Sequence, residues 1–392
     1  MTPRQQLITL WGLLKRQAVQ MVYNYVYILC MVVFPLLCTF FFADLMKNGL
    51  PTDMPAGAVD LDQTSTSRKL VRTLDAMQLT SVKKIYPNAT EARRAMQRGE
   101  IYGFFYIPEN FNKDVQAGRQ PVVSFYYNGG YILAGSMLYK DMKTTATLGT
   151  AAVGMTKLAA LGMTEREIMA NLQPITVDTR ITHNPTMDYN VYLSTSMIPT
   201  CLGIFIFLIT VYSLGTELKF RSGKRWMGQA KGNIWIAMTA KMLPQTFVFT
   251  AIVFAYLYGL YGVMHFPYYC SKELILFNGF LLVLACQGFG VFMFGLLPSL
   301  RMAMSLCALF SVASFSIGGF TFPVEAMDAP LQALAYLFPM RSYFMIYQMT
   351  VLNGYAPHYA QVYYLILLAF ILLPLTVIPR IRKVMLHYVY IP

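Results

Sequence analysis

Long stretches without a charge dominate the pattern of apolar and polar positions along the chain. A helix needs about 20 apolar residues to cross a hydrocarbon layer about 30 Å thick. A charge at its centre costs roughly 2.5–3.5 kcal/mol. Runs at residues 22–45, 192–216, 237–262, 274–297, 302–321 and 360–379 satisfy both conditions. They predict an α-helical integral membrane protein with six transmembrane helices. The spacing of the runs is uneven. Residues 46–190, between the first two, have the composition of a soluble domain, whereas the later loops are short.

Inside residues 46–190 the period changes. Residues 56–61 (AGAVDL), 80–86, 101–107 (IYGFFYI) and 121–127 (PVVSFYY) read as strands, and 174–183 (PITVDTRITH) alternates like a further one. Residues 65–77 place Leu70, Val71, Leu74 and Met77 on one helical face. Asn88 followed three residues later by Glu91 reads as an N-cap with a capping box, and Gly99 closes that helix. A short helix is expected to start at Pro108 and end at Gly118, and residues 131–161 read as one long helix. Strands alternating with helices predict an α/β domain inserted between helices one and two. Ahead of the first span, Leu7, Trp11, Leu14 and Ala18 recur at helical spacing beside Lys15 and Arg16. Residues 1–20 are therefore expected to form an amphipathic helix lying in the membrane interface.

Charge changes the picture by its placement. The chain carries a formal net charge of +13, which by itself suggests nucleic acid. With six spans, however, Arg4, Lys15, Arg16, Lys219, Arg221, Lys224, Arg225, Lys231, Lys241, Arg301, Arg380, Arg382 and Lys383 fall on one side, against Glu217 alone. Lys/Arg excess in short loops marks the cytoplasmic face. Both termini are thus expected in the cytoplasm, with a basic tail at 380–392 and the large domain outside. Nucleic-acid binding loses its support. No stretch in the first 20 residues has the apolar core and small-residue cleavage site of a signal peptide. The six cysteines lie in or beside apolar segments, which fits small buried hydrophobes and not a disulfide or CxxC metal framework.

Candidate chemistry is sparse. The external insert holds one histidine, His183, and neither HExxH nor GxSxG. No G-x-x-x-x-G-K-[ST] loop occurs, since Gly223–Lys224 is followed by Arg-Trp. Residues 318–345 are apolar yet broken by Gly318, Gly319, Pro323, Pro330 and Pro339, and they carry Glu325, Asp328 and Arg341. Broken backbone at membrane depth is tolerated only inside protein or along a watery cavity. Phe205, Tyr212, Phe315 and Phe320 are candidates for an apolar substrate path. Tyr363, Tyr364, Tyr388 and Tyr390 near span ends fit an aromatic belt.

The order of parts, one helix, a large external α/β domain, then five helices, resembles the permeases of type-2 ABC exporters. Within them it resembles the subgroup with a large extracytoplasmic domain found in bacterial multidrug-type pumps. The stretches that carry the resemblance are GAVDLDQTSTSRKLVRTL (57–74), TEARRAMQRGEIYGFFYIPENFNKDVQAGRQPVVSFYYNGG (90–130), HNPTMDYNVYLSTSMIP (183–199), GTELKFRSGKRWMGQAKGNIWIAMTAKMLP (215–244), GGFTFPVEAM (318–327) and LFPMRSY (337–343). Members often have Pro-Gly where this chain has Pro199–Thr200, and the 217–233 loop is unusually basic.

The resemblance implies a coupling helix within 217–233 that docks on a separate cytoplasmic ATPase, with Glu217, Lys219, Arg221, Lys224 and Arg225 as candidate coupling residues. It implies that 318–345 is an external re-entrant gate, with Gly318, Gly319, Pro323, Glu325, Pro339 and Arg341 as its candidate residues. The chain itself is expected to bind no cofactor, ATP and Mg being used by the partner ATPase. Further expected partners are a second permease copy or paralogue, a periplasmic membrane-fusion adaptor with its outer-membrane channel, and the bilayer of the bacterial inner membrane. The expected domains are 1–20, 21–45, 46–190, 191–379 and 380–392. The expected cargo is a hydrophobic or amphipathic molecule. A membrane sensor with a ligand-reading external domain is the rival reading, against which stands the lack of any output domain. An intramembrane enzyme is a second rival; it requires paired ionisable residues inside the spans.

Overall fold

A computed structural model describes residues 3–45, 47, 49–175, 180, 182–184 and 187–387. In chain order these form α1 (Pro3–Tyr23), α2 (Tyr25–Leu45), β1 (Met54–Asp60), α3 (Ser65–Asp75), β2 (Thr80–Ile85), α4 (Ala89–Gln97), β3 (Gly103–Ile107), α5 (Phe111–Gln116), β4 (Ser124–Tyr127), α6 (Ile132–Ala160) and α7 (Glu165–Leu172). There follow α8 (Tyr189–Lys219), α9 (Gly223–Gln229), α10 (Ile234–Val263), α11 (Lys272–Leu296), α12 (Leu300–Ile317), α13 (Ala329–Ala335), α14 (Pro339–Ile346) and α15 (Pro357–His387). The chain divides into two compact units. Residues 1–49 and 181–392 form one, and residues 50–180 form the other.

The first unit is helical. Six of its helices, α2, α8, α10, α11, α12 and α15, are long and apolar enough to cross a membrane. The centre of this bundle is α8, with Ile198, Leu202, Ile206, Phe207, Val211 and Leu214 all buried. It packs closely against α11 and α12. Close approach depends on small residues: a Cβ on Gly290 of α11 would lie 3.0 Å from Thr210 of α8. Pro199 sits inside α8 and leaves a carbonyl one turn back without its usual N–H donor. Around it the hydroxyls of Thr195, Ser196 and Thr200 donate to carbonyls three or four residues earlier, so these polar groups are satisfied within the helix.

Two segments of this unit differ from expectation. In α1 the buried stripe is Leu13, Gln17 and Met21, packed against α10. Leu7, Trp11 and Ala18 of the expected stripe face outward instead, with Trp11 72% exposed. α10 thus covers the Leu13–Gln17–Met21 edge of the helix, and the Leu7–Trp11 edge is left outward. At the other end, residues 380–387 are not a separate tail but the last turns of α15. Val377, Ile378, Ile381 and Met385 form its buried i, i+4 stripe, which prolongs the helix past the last apolar run. Tyr364 turns inward and donates to Asn278 Oδ1 at 2.8 Å, so it is no belt residue; Tyr388 and Tyr390 lie outside the described residues.

The second unit is a four-stranded sheet in the order β2-β1-β3-β4. β1 runs parallel to β2 and β3, and β4 is antiparallel to β3. Alternation divides the side chains between two cores. Ala56, Ala58, Phe105 and Ile107 join Val71, Leu74, Leu138 and Met142 on the face covered by α3 and α6. Val59 and Phe104 join Tyr86, Ala92, Ala95 and Ile101 on the face covered by α4. The turn after β1 is organised by Asp60, whose carboxylate accepts from the backbone of Asp62 and Gln63 and from Ser67 Oγ. Thr64 and Ser67 then form a capping box for α3.

Several boundaries shift. Asn88 caps α4 by accepting from Glu91 N, but the reciprocal half of the box is not formed. α5 starts at Phe111, because Asn110 adopts a left-handed conformation (φ 58°) that stops the helix from reaching Pro108. β4 covers only Ser124–Tyr127. Of the strand expected at 174–183, residues 176–179 and 181 lie outside the described residues, and the described ones form no strand.

Candidate functional site

The 217–233 loop folds back onto the bundle. α8 ends at Lys219, and Arg221 takes a left-handed conformation (φ 54°) that reverses the chain. α9 then runs over Gly223–Gln229. Lys231 (φ 51°) and Gly232 (φ 78°) turn the chain again, and Asn233 caps α10 through its side chain. One face of α9 is buried, with Gly223, Trp226 and Met227 pointing in. Gly223 is required by proximity, since a Cβ there would lie 2.9 Å from the Met385 carbonyl of α15. Lys224 and Arg225 lie on the exposed face, with Lys219, Arg221 and Lys231 exposed beside them.

Beneath α9 lies an ion pair. Lys241 Nζ of α10 is 2.6 Å from Glu217 Oε1 of α8, with side-chain exposures of 1% and 11%. Ser222 Oγ donates to the other carboxylate oxygen of Glu217. The Lys241 ammonium also sits 5.2 Å from the centre of the Trp226 ring, an attractive geometry for a desolvated cation. Two consecutive helices and the helix between them are thus joined at one charged point. Glu217 is accordingly an internal strut and not a surface contact. Its partner was read from the sequence only as one more orientation cation. The signal that distinguishes it is local: Lys241 lies inside an apolar helix, well past the turn that ends at Asn233.

From the other side α1 covers the pair. Arg16 donates to the side chain of Gln229 in α9. Together with Leu13, Gln17 and Gln20 it lines a cavity of about 180 Å³ over Glu217, Ser222, Trp226 and Lys241.

Residues 318–345 are irregular. Gly318 caps α12, and Gly319 has φ 92°. Pro323 leads into a 3-10 turn at Val324–Ala326, and Pro339 opens α14. Tyr192 at the start of α8 donates to the Phe320 carbonyl. Arg341 is 3% exposed. Its Nη1 donates to the Gly318 carbonyl at 3.3 Å, its guanidinium lies 5.3 Å from the Tyr336 ring centre, and its Nε has no partner. Glu325 is exposed and forms no ion pair with Arg341. Arg341 therefore holds the glycine turn from within.

The four aromatic candidates form no single path: Phe205 and Tyr212 each pair with an aromatic of the first span, and Phe315 and Phe320 meet each other elsewhere. Phe205 stacks with Phe34 and Tyr212 meets Tyr27 edge-on, so both pack the first span against α8. Phe320, 2% exposed, is wedged between Phe315 and Phe344.

A helical, multi-pass membrane protein with a basic helix held on its bundle is the class these features define. The family model described as "ABC-2 family transporter protein" matches residues 25–378, so the chain belongs to the ABC-2 transporter family. The match runs from the first residue of α2 into α15 and leaves α1 outside. Membership makes the chain a membrane component of an ABC transporter and implies an ATP-binding partner subunit. No curated protein matches the chain.

Proposed function

We propose that this chain is the permease subunit of an ATP-driven exporter of hydrophobic or amphipathic molecules. Two copies, or one copy and a paralogue, line the pathway in a bacterial inner membrane. Residues 50–180 face outward, where a periplasmic adaptor engages them, and both ends of the chain face the cytoplasm. α9 is the coupling helix. ATP-driven closure of the partner subunits moves it, and the Glu217–Lys241 pair passes that motion to α8 and α10 together. The segment at 318–345 gates the exit.

The observation that carries this reading is the two-sided build of α9. Trp226 and Met227 are buried, while Lys224 and Arg225 are presented outward on a short helix anchored by that buried face. Cations that served orientation alone need no such anchored helix beneath them. The test is co-purification of an ABC ATPase from the native membrane in mild detergent, comparing wild type with Lys224→Glu/Arg225→Glu. The ATPase is expected to follow the wild type and to be lost from the variant, with ATP hydrolysis in nanodiscs falling in parallel. A variant that retains the ATPase would refute the coupling role of α9. A wild-type chain that recovers no ATPase from its native membrane would refute the exporter reading.

A further inference from the structure

A cleft within residues 50–180 has no part in the mechanism above. Its volume is about 1160 Å³, and it lies between α3, α5, the 117–123 loop and the second half of α6. Ligand sites usually enclose about 300–1,000 Å³, so a drug-sized or single-chain molecule fits entirely inside. The floor is apolar: Phe105 and Phe111 are buried, with Leu70 and Val123 packed beside them. Apolar side chains also remain uncovered, Val122 at 73% exposure and Leu148 at 50%. A long helix with exposed leucine beside an exposed valine loop leaves apolar surface for an occupant.

The charge is one-sided. Lys69, Arg119 and Lys157 line the cleft, and no acidic residue does. Arg119 is held by Asp114 at 2.6 Å. Lys69 and Lys157 form no ion pair among the described residues. Lys157 Nζ instead donates to the Val115 carbonyl at the end of α5, a neutral acceptor that fixes the ammonium without cancelling its charge. Thr66 Oγ1 donates to Asn112 Oδ1 at 2.9 Å, which leaves the Asn112 amide nitrogen as the further donor of that pair among the lining groups.

We infer that this cleft binds an amphiphile with a single apolar chain and an anionic head. The chain lies over Phe105, Phe111 and Leu70, and the head meets Lys69 and Lys157. The site is separate from the α9 contact, so occupancy requires neither the ATPase nor turnover.

The experiment uses the full-length chain in phosphatidylcholine nanodiscs with a diazirine-bearing palmitate, followed by peptide mapping of the adducts. Adducts are expected on residues 105–123 and 146–157 as well as in the membrane helices, which sample probe dissolved in the bilayer. Lys69→Glu/Lys157→Glu is expected to lower cleft labelling about tenfold, the scale of losing a charge-assisted contact, with membrane-helix labelling unchanged. That unchanged labelling reports a folded protein. The uncharged diazirine alcohol is expected to label the cleft weakly, and excess acetate is expected to leave palmitate labelling intact because the head alone has no apolar anchor. Ala152→Trp, which fills the cleft without altering charge, is expected to abolish cleft adducts. Adducts confined to the membrane helices would overturn the inference and leave the cleft to a protein partner. Equal cleft labelling by acid and alcohol, or labelling indifferent to both variants, would overturn it as well. None of these outcomes bears on ATPase co-purification, so the two proposals fail separately.

Discussion

The Glu217–Lys241 pair makes a prediction whose size can be worked out. At 2.6 Å and an effective dielectric of about 20, the attraction is about 6 kcal/mol. Desolvating the two ions costs several kcal/mol each, so the intact pair contributes little net stability. Removing one member is different, because the other stays buried without a counter-ion, at a cost of about 3–5 kcal/mol. Glu217→Gln and Lys241→Met are therefore each expected to destabilise the bundle strongly. The double variant is expected to be close to wild type, because methionine still packs on Trp226 and glutamine still accepts from Ser222. The assay is the thermal midpoint of the monodisperse peak in size-exclusion chromatography. A drop of roughly 10 °C is expected for each single variant, and most of it is regained in the double. The double variant should nevertheless couple ATP hydrolysis to substrate poorly, since the rigid charged joint between α8 and α10 is gone. Additive losses in the double variant would refute the reasoning. So would single variants that melt with the wild type, because a buried ion cannot lose its partner without cost.

Gly223→Val forces side-chain atoms into the Met385 backbone of α15 and should cost about 1–3 kcal/mol through overpacking, read as a lower thermal midpoint with reduced ATPase recovery. Asp141 is buried in α6 and accepts from Leu79 N at 3.2 Å and Thr80 Oγ1 at 2.8 Å. Asp141→Ala should cost about 1–3 kcal/mol by orphaning those donors, and hydrogen exchange should speed up at residues 79–85 while the membrane helices keep their protection. Arg341→Met removes the donor to the Gly318 carbonyl and the contact with the Tyr336 ring and should lower the thermal midpoint by the cost of an orphaned buried acceptor, about 1–3 kcal/mol. Substrate-stimulated ATP hydrolysis should fall in the same protein if the 318–345 gate uses the charge.

What the sequence disclosed, and what it hid, follows from the range of the interactions involved. The apolar runs were legible because each helix must satisfy the length and charge limits of a membrane by itself. Residues 65–77 and the Asn88–Glu91 cap mark the starts of α3 and α4 in the sequence, whereas α7 and its equally local Thr164–Glu167 box are no part of that expectation. The Asn110 stop was not legible, because a left-handed asparagine leaves no pattern that separates it from an ordinary polar residue. Asp141 could have been noticed. It falls on the stripe of Leu138, Met142 and Thr145, and a carboxylate on a buried stripe requires internal donors. In the sequence Glu217 stands as a candidate coupling residue and Lys241 as one of the orientation cations, with nothing to join them. Their pairing depends on how α9 folds back between α8 and α10, which no local period encodes.

That fold-back also explains why α1 matters although the family match begins only at Tyr25. Arg16 reaches Gln229 of α9, and Leu13 and Gln17 lie over the ion pair. A motion of α9 toward an ATPase must therefore either carry α1 along or break the Arg16–Gln229 contact. In the first case α1 loads the motion with the apolar edge formed by Leu7, Trp11 and Val19, which faces outward and suits lipid. In the second, α1 acts as a latch on the coupling helix. Arg16→Ala separates them: a latch predicts faster basal ATP hydrolysis once the contact is gone, whereas a carried helix predicts slower coupling with basal hydrolysis unchanged.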